Sequence, residues 1–180
     1  MYGNHYILLL ASALAAGLGG CAGPVETHIR SEGVGVAGVT PLMWAPEPEG
    51  RADTPMTGEM KDIVASALHK KGFRFVDSAP VMVMAGLAER PAAIAVEGEA
   101  GKAVSRGKRQ RLFQNCRDRT MRLRISMTDS ATGEVLYIGE AQEAHCHAQM
   151  RQVLPRLADR AVEDVTAPGR SRQTFSFARD

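Results

Sequence analysis

Aromatic side chains are scarce in this chain: one Trp, three Tyr and five Phe among 180 residues. A core built with so few rings has to rest on Val, Leu, Ile, Met and Ala. Apolar runs are short. The stretch from Tyr6 to Leu18 covers about 13 residues, which as a helix rises about 20 Å, against a hydrocarbon core of about 30 Å. That segment therefore does not span a bilayer as a helix. The formal net charge of +2 gives no footing for nucleic acid as a partner. The patterns G-x-S-x-G, H-E-x-x-H and the P-loop are missing, so nothing supports an α/β-hydrolase elbow, a zincin or a phosphate-cradling loop. Gly33-Val34-Gly35-Val36-Ala37-Gly38 matches G-x-G-x-x-G in letters. A dinucleotide site needs a helix opening at the third Gly, whereas Thr40-Pro41 follows here. No catalytic residue, cofactor or metal site is expected.

The short apolar run has the length of the hydrophobic region of a secretory signal. It ends in Leu18-Gly19-Gly20-Cys21. Two small residues let the chain lie extended in a peptidase cleft, and the cysteine offers a thiol for acylation. This resembles the lipobox of bacterial lipoproteins. The resemblance implies a diacylglyceryl thioether on Cys21, cleavage before it, and acylation of the new amino group. It departs from the pattern in one respect: Met1-Tyr2-Gly3-Asn4-His5 carries no Lys or Arg. By the same resemblance, Ala22 after the cysteine favours the outer membrane. Two or three acyl chains anchor firmly where one would be marginal. Residues 1–20 are thus read as a signal peptide, 21–53 as tether and N-terminal strands, and 54–180 as the remainder of one domain covering about 26–180. A chain of this length buries roughly two-thirds of its unfolded surface and needs no metal to fold.

Pro41, Pro46, Pro48 and Pro55 forbid long helices early in the mature chain. Thr27–Ser31, Val34–Val39 and Leu42–Trp44 are read as short strands. A helix is expected from Pro55 to Lys71, because Met60, Ile63, Val64, Ala67 and Leu68 fall on one face. Thr54 or Thr57 caps it, Pro55 is tolerated in its first turn, and Gly72 suits the position after its end. Phe73–Val76 and Val81–Ala85 read as strands, Ala92–Val96 as another, and Gly98–Gly107 as a loop. Arg119–Thr128 alternates, with Met121, Leu123, Ile125 and Met127 on one face and Arg122, Arg124 and Ser126 on the other. Asp129–Gly133 is a turn sequence and Glu134–Ala144 the returning strand, which together make a hairpin. A second helix is expected from Leu154 to Val165, with Pro155 near its start, and Gln173–Phe177 as an edge strand. This order gives an α+β fold: a mainly antiparallel sheet with two helices packed on one face.

Several of these segments resemble the lipoproteins of the domain-of-unknown-function 4136 family. They are Ala67-Leu68-His69-Lys70-Lys71-Gly72-Phe73, the strand near Val81-Met82-Val83, Arg122–Asp129 followed by Thr132–Ala141, and the close on Ala167-Pro168-Gly169. The resemblance covers about residues 26 to 170. The family usually has Trp in the returning strand, where this chain has Tyr137. It implies location and fold and offers no catalytic residues.

With Cys21 lipidated, Cys116 and Cys146 form an even pair in an oxidising compartment. They are equally distant from Ala131 in the turn, so they should lie nearly opposite and form a cross-strand disulfide. Its loop of about 30 residues gives roughly 3–4 kcal/mol in the chain-entropy model. His145-Cys146-His147 offers imidazoles, but three or four ligands are needed and none is visibly paired with them. His28 and His69 are read as surface residues.

Between Lys102 and Arg124 lie nine basic residues, and Asp118 is the only acid. Outside the cytosol the polyanions are lipid phosphates, lipopolysaccharide and acidic wall polymers, and Arg suits bidentate phosphate contacts. Arg122 and Arg124 are therefore candidates for an anionic envelope component. The expected function is non-catalytic binding or scaffolding at the periplasmic face of the outer membrane. The expected partners are the membrane, through lipid on Cys21, and that anionic component; no protein partner is indicated. The alternatives are a carrier of a small ligand or lipid in a groove beside the helices, or an enzyme acting on envelope polymers.

Overall fold

A computed structural model describes residues 25–47, 54–97, 103–105, 107, 116–169 and 172–177. The signal segment and Cys21 lie outside the described residues, as does most of 98–115. Nine strands and two helices are formed among the described residues. Strands β1 (Val25–Gly33), β2 (Pro41–Trp44), β3 (Arg74–Phe75), β4 (Val81–Pro91), β7 (Arg119–Asp129), β8 (Val135–His145) and β9 (Arg172–Phe177) make one sheet in the order β3-β2-β4-β7-β8-β1-β9. Strands β5 (Val96–Glu97) and β6 (Ala103–Ser105) pair separately. The helices are α1 (Pro55–Lys70) and α2 (Met150–Ala161). The architecture is α+β with a mixed, mostly antiparallel sheet. Only β2 runs parallel to its neighbours, β3 and β4. Parallel neighbours need a crossover, and α1 with β3 supplies it between β2 and β4.

Odd-numbered side chains carry the core. Ile29, Val81, Val83, Met121, Leu123, Ile125, Met127, Tyr137 and Ala141 are all buried. The register lines them up across strands, with Val83 beside Met127 and Met127 beside Tyr137. All of these but Ile29 form one cluster with Val64, Leu68, Leu154, Leu157 and Val162. Helix α1 touches β3, β4 and α2, while α2 touches β1, β7 and β8. The cluster's aromatics are Phe73 and Tyr137, and its other members are aliphatic or Met. Against this cluster Trp44 stacks on Phe75, with ring centroids 4.7 Å apart.

Helix α1 forms as its sequence predicts. Thr54 Oγ1 accepts from the Thr57 N–H at 3.2 Å, Pro55 opens the first turn, and Gly72 beyond the end takes φ +91°, which a Cβ would resist. Helix α2 begins and ends four residues earlier than expected. The Gln152 side chain accepts from the Gln149 N–H at 2.8 Å and starts the helix before Met150. Pro155 therefore sits beyond the first turn and removes the bond to the Arg151 carbonyl. After Ala161 the chain continues in turns that still bury Val162 and Val165.

Three strand boundaries need correction. Val34–Val39 is not a strand. Gly33 and Gly35 take φ +125° and +86°, which breaks the extended path, and Val34 and Val39 point outward. Ala92 begins a turn, and only Val96–Glu97 pairs, its partner being Ala103–Ser105 inside the stretch Gly98–Gly107 expected as a loop. Val81–Ala85 continues to Pro91, because β7 offers partners along that whole length. The fingerprint-like glycines close β1 and continue into the loop after it, and strand β2 rather than a helix follows them.

The hairpin forms with an irregularity between Met127 and Thr128. Beyond it Met127 faces Tyr137 and Arg119 faces His145. By that register Cys146 would face Asp118 rather than Cys116. The disulfide forms all the same, just past the last ladder pair, with Cα atoms 5.6 Å apart. The expected pairing of Cys116 with Cys146 is present, and the two residues come close to opposite one another beyond the end of the ladder.

Candidate functional site

Position 143 shares the parity of Tyr137, Gly139 and Ala141, so β8 turns a carboxylate into the core. Glu143 is 1% exposed. An ion taken out of water is costly unless every lone pair is met by a donor or cation. Here they are met. Thr27 Oγ1 of β1 donates to Oε1 at 2.6 Å. His145 Nε2 lies 2.8 Å from Oε2. Arg156 of α2 spans both oxygens, with Nη2 2.7 Å from Oε2 and Nε 2.9 Å from Oε1. Burial pushes the carboxyl pKa up, but the bonds from His145, Arg156 and Thr27 and the Arg156 charge outweigh it and hold Glu143 down at about 2. A carboxylate so held is neither a proton donor near neutrality nor an open nucleophile. Its chemical effect is to fix Arg156.

A second buried network closes the other end of α2. Tyr137 Oη donates to the Ala161 carbonyl at 2.7 Å, with Asp164 Oδ1 3.2 Å away. Ser31 Oγ donates to Asp164 Oδ2, and so does the Gly169 N–H at 3.3 Å. Burial, reinforced by the Asp164 charge, raises the Tyr137 pKa above its ordinary value. The hydroxyl explains why Tyr serves at this place in β8: it binds a carbonyl at the end of α2. Gly139 permits the approach, since a Cβ there would overlap the Ala161 carbonyl oxygen.

Arg156 is only half-buried, and its outer side lines an open cleft of about 420 Å³ between the helices. Ala67, Lys70 and Lys71 from the end of α1 and Asp159, Arg160 and Glu163 from the α2 region complete that lining. Lys70 Nζ bonds Asp159 at 2.8 Å and 3.1 Å, and Arg160 Nη1 bonds Glu163 at 2.9 Å. Lys71 Nζ donates to the Glu163 carbonyl at 2.9 Å. Arg160 also lies over the Phe175 ring, 4.5 Å from its centroid.

Arg122 and Arg124 come from even positions of β7, away from the buried side chains. Each stands near Glu140 of β8, at 3.7 and 3.8 Å. They are side-by-side cations sharing one carboxylate, and Arg124 is the more exposed. Arg30 joins the same register row, opposite Glu140, and pairs with Glu32 at 3.0 Å. Arg117 is exposed; Lys102, Arg106, Lys108, Arg109 and Arg111 lie outside the described residues. His28 is on the surface beside Thr174, and His69 is exposed. Sulfur and imidazole ligand atoms of Cys116, Cys146 and His147 approach within 4.8 Å of one another, while the two sulfurs are bonded as a disulfide. His145 turns toward Glu143 instead.

No protein-family profile matches the chain, and no curated protein does. Solved structures do. Two PelC dodecamers from Paraburkholderia phytofirmans are 12% and 11% identical to it, with TM-scores of 0.49 and 0.48. The matches cover 78% and 79% of this chain and 98% and 99% of those chains. A PDZ domain protein from Parabacteroides distasonis is 11% identical, with a TM-score of 0.55 over 93% of this chain and 42% of that one. The last of these shows a shared fold and nothing of a shared activity.

Proposed function

We propose that this chain is an exported envelope lipoprotein, of the kind found in the domain-of-unknown-function 4136 family. It is anchored through Cys21 at the periplasmic face of the outer membrane and acts there as a non-catalytic binding or scaffolding protein. The observation that carries the reading is the Cys116–Cys146 disulfide. Stable disulfides belong to oxidising compartments. Pairing those two leaves Cys21, at the end of the Leu18-Gly19-Gly20 sequence, as the cysteine for lipid. In this reading both helices cover one face of the sheet. The opposite face then presents Arg122 and Arg124 to an anionic envelope component. A carrier role is the second reading, favoured by the cleft between α1 and α2.

The test of anchoring is Cys21→Ser in cells. The variant should accumulate as an unprocessed precursor and leave the membrane fraction; unchanged mobility and fractionation would sink the reading. The test of the open face is Arg122→Gln with Arg124→Gln. Binding to vesicles containing phosphatidylglycerol should weaken and lose its salt dependence, and unchanged binding would remove these two residues from the account.

A further inference from the structure

The structure assigns a second role to the open end of the hairpin: with Cys116 and Cys146 reduced to thiols, they and His147 form a binding site for one Zn²⁺ ion. Disulfide and metal are then alternative states of the same cysteine pair. This goes beyond the export reading and does not depend on lipid at Cys21. In sequence, Cys146 and His147 are candidate ligands that lack a third. Folding supplies it. The start of β7 and the end of β8 meet at one edge of the domain, and Cys116 comes to Cys146 with Cα atoms 5.6 Å apart. Both sulfurs and an imidazole nitrogen of His147 lie within 4.8 Å of one another. Around a tetrahedral Zn²⁺, with Zn–S about 2.3 Å and Zn–N about 2.0–2.1 Å, neighbouring ligand atoms stand roughly 3.5–3.8 Å apart. The imidazole thus needs to close by about 1 Å at most, and the sulfurs part once their bond is gone.

All three ligands lie outside the strand ladder. Cys116 precedes β7, and Cys146 and His147 follow directly on β8, so small shifts there break no strand pairing. His147 is exposed and the cysteines half-buried, which leaves an ion a path in. His145 does not compete for the ion, because its Nε2 is held by Glu143 at 2.8 Å. Two thiolates and one imidazole suit Zn²⁺ and not Mg²⁺ or Ca²⁺, which take oxygen ligands. Three protein ligands leave the fourth position to water. The chemistry balances with a dithiol as reductant. The dithiol gives two electrons and two protons to the Cys116–Cys146 bond and becomes a disulfide itself. Zn²⁺ then displaces the two thiol protons as it binds. Sulfurs serving as two separate ligands are not bonded to each other, so bound metal opposes reoxidation, and reoxidation expels the metal.

The test uses the purified full chain with Cys21→Ser, so that the only thiols are those of the pair. It is reduced with a phosphine, desalted without oxygen and titrated with Co²⁺, whose thiolate charge-transfer and tetrahedral ligand-field bands report the ligands; Zn²⁺ is then added in competition. We expect one Co²⁺ per chain, the bands of a tetrahedral two-thiolate site, and their loss as Zn²⁺ displaces Co²⁺. The oxidised chain should show none of this, and neither should the reduced chain carrying Cys116→Ser with Cys146→Ser. His147→Ala should weaken Zn²⁺ binding by about tenfold or more. His147 is exposed and outside the core, so that variant folds whether or not the reduced pair weakens the hairpin. Bound Zn²⁺ should also slow both alkylation of the two thiols and their reoxidation. Absence of thiolate bands in the reduced chain, bands that persist in the double cysteine variant, or Zn²⁺ affinity unchanged in His147→Ala would overturn the proposal.

Discussion

Glu143 of β8 and Arg156 of α2 meet as a two-pronged pair beneath the interhelical cleft, with donor–acceptor distances of 2.7 and 2.9 Å. The carboxylate is fully buried and the guanidinium half-buried. The pair ties the last third of the hairpin to the helix that crosses it, and Thr27 extends the tie to β1. Removing one partner strands a charge. Arg156→Ala should therefore destabilise the domain by about 3–5 kcal/mol. Adding Glu143→Gln in that background should recover part of the loss, because an amide needs no counter-charge. Denaturant midpoints of the two single variants and the double variant give the coupling. Additive losses would mean that the pair is not the unit described.

The same pair sets a pH dependence. Folding depresses the Glu143 pKa from an ordinary 4.5 to about 2. Its stabilisation is complete above the ordinary value and is lost as pH falls from about 4.5 toward 2. The difference is worth about 3 kcal/mol across that window. Unfolding midpoints should fall between pH 5 and pH 3 more steeply in the native chain than in Glu143→Gln. Parallel pH profiles would show that other carboxylates carry the acid sensitivity.

Gly139 tests the seat of α2 on the sheet. Its missing side chain lets the Ala161 carbonyl close on β8, and a Cβ would also lie 2.6 Å from Tyr137 Oη. Gly139→Ala should cost about 1–3 kcal/mol through overpacking. Gly58→Ala is the matched control. Nothing lies within 4 Å of a Cβ there, and the position is inside α1, so the change should stabilise by about 0.5–1 kcal/mol. Opposite shifts in melting temperature check both; a neutral Gly139→Ala would mean that α2 can lift without loss.

Parity and period explain which parts of this fold were legible in sequence. Met121, Leu123, Ile125 and Met127 announce an inward strand face, and Met60, Ile63, Val64, Ala67 and Leu68 announce a helix, because burial acts on each repeat separately. The parallel placement of β2 was not legible, since four residues say nothing of their neighbours. Nor was the start of α2, where a Gln pair caps in place of Ser or Asp. Most of the candidate site was missed. Glu143 reads as one scattered acid beside Glu140, yet its parity with Tyr137 and Ala141 already marks a carboxylate turned inward. The partners Thr27 and Arg156 are 116 and 13 residues away in sequence, and only tertiary packing brings them together.

The disulfide lies next to this cluster, and the last prediction concerns both. Cys116 and Cys146 are joined just beyond the Arg119–His145 pair, and two residues further in Met121 faces Glu143. The bond therefore clamps the open end of the hairpin, where the ladder has no turn to hold it. Closing a loop of 30 residues is worth about 3–4 kcal/mol in the chain-entropy model. Cys116→Ala with Cys146→Ala should lower stability by about that amount. The loss should also be uneven along the strands. Amide exchange should quicken at Thr120, Met121, Ala144 and His145, while Met127 and Tyr137, near the Asp129 turn, keep their protection. Asp129 accepts from the Ala131 and Thr132 amides and closes that end without help from the cysteines. Fraying at the open end would also release His145 from Glu143, so the variant should lose part of the acid sensitivity predicted for the native chain. Uniform loss of protection along β7 and β8 would mean that the disulfide acts only on the unfolded chain and clamps nothing locally.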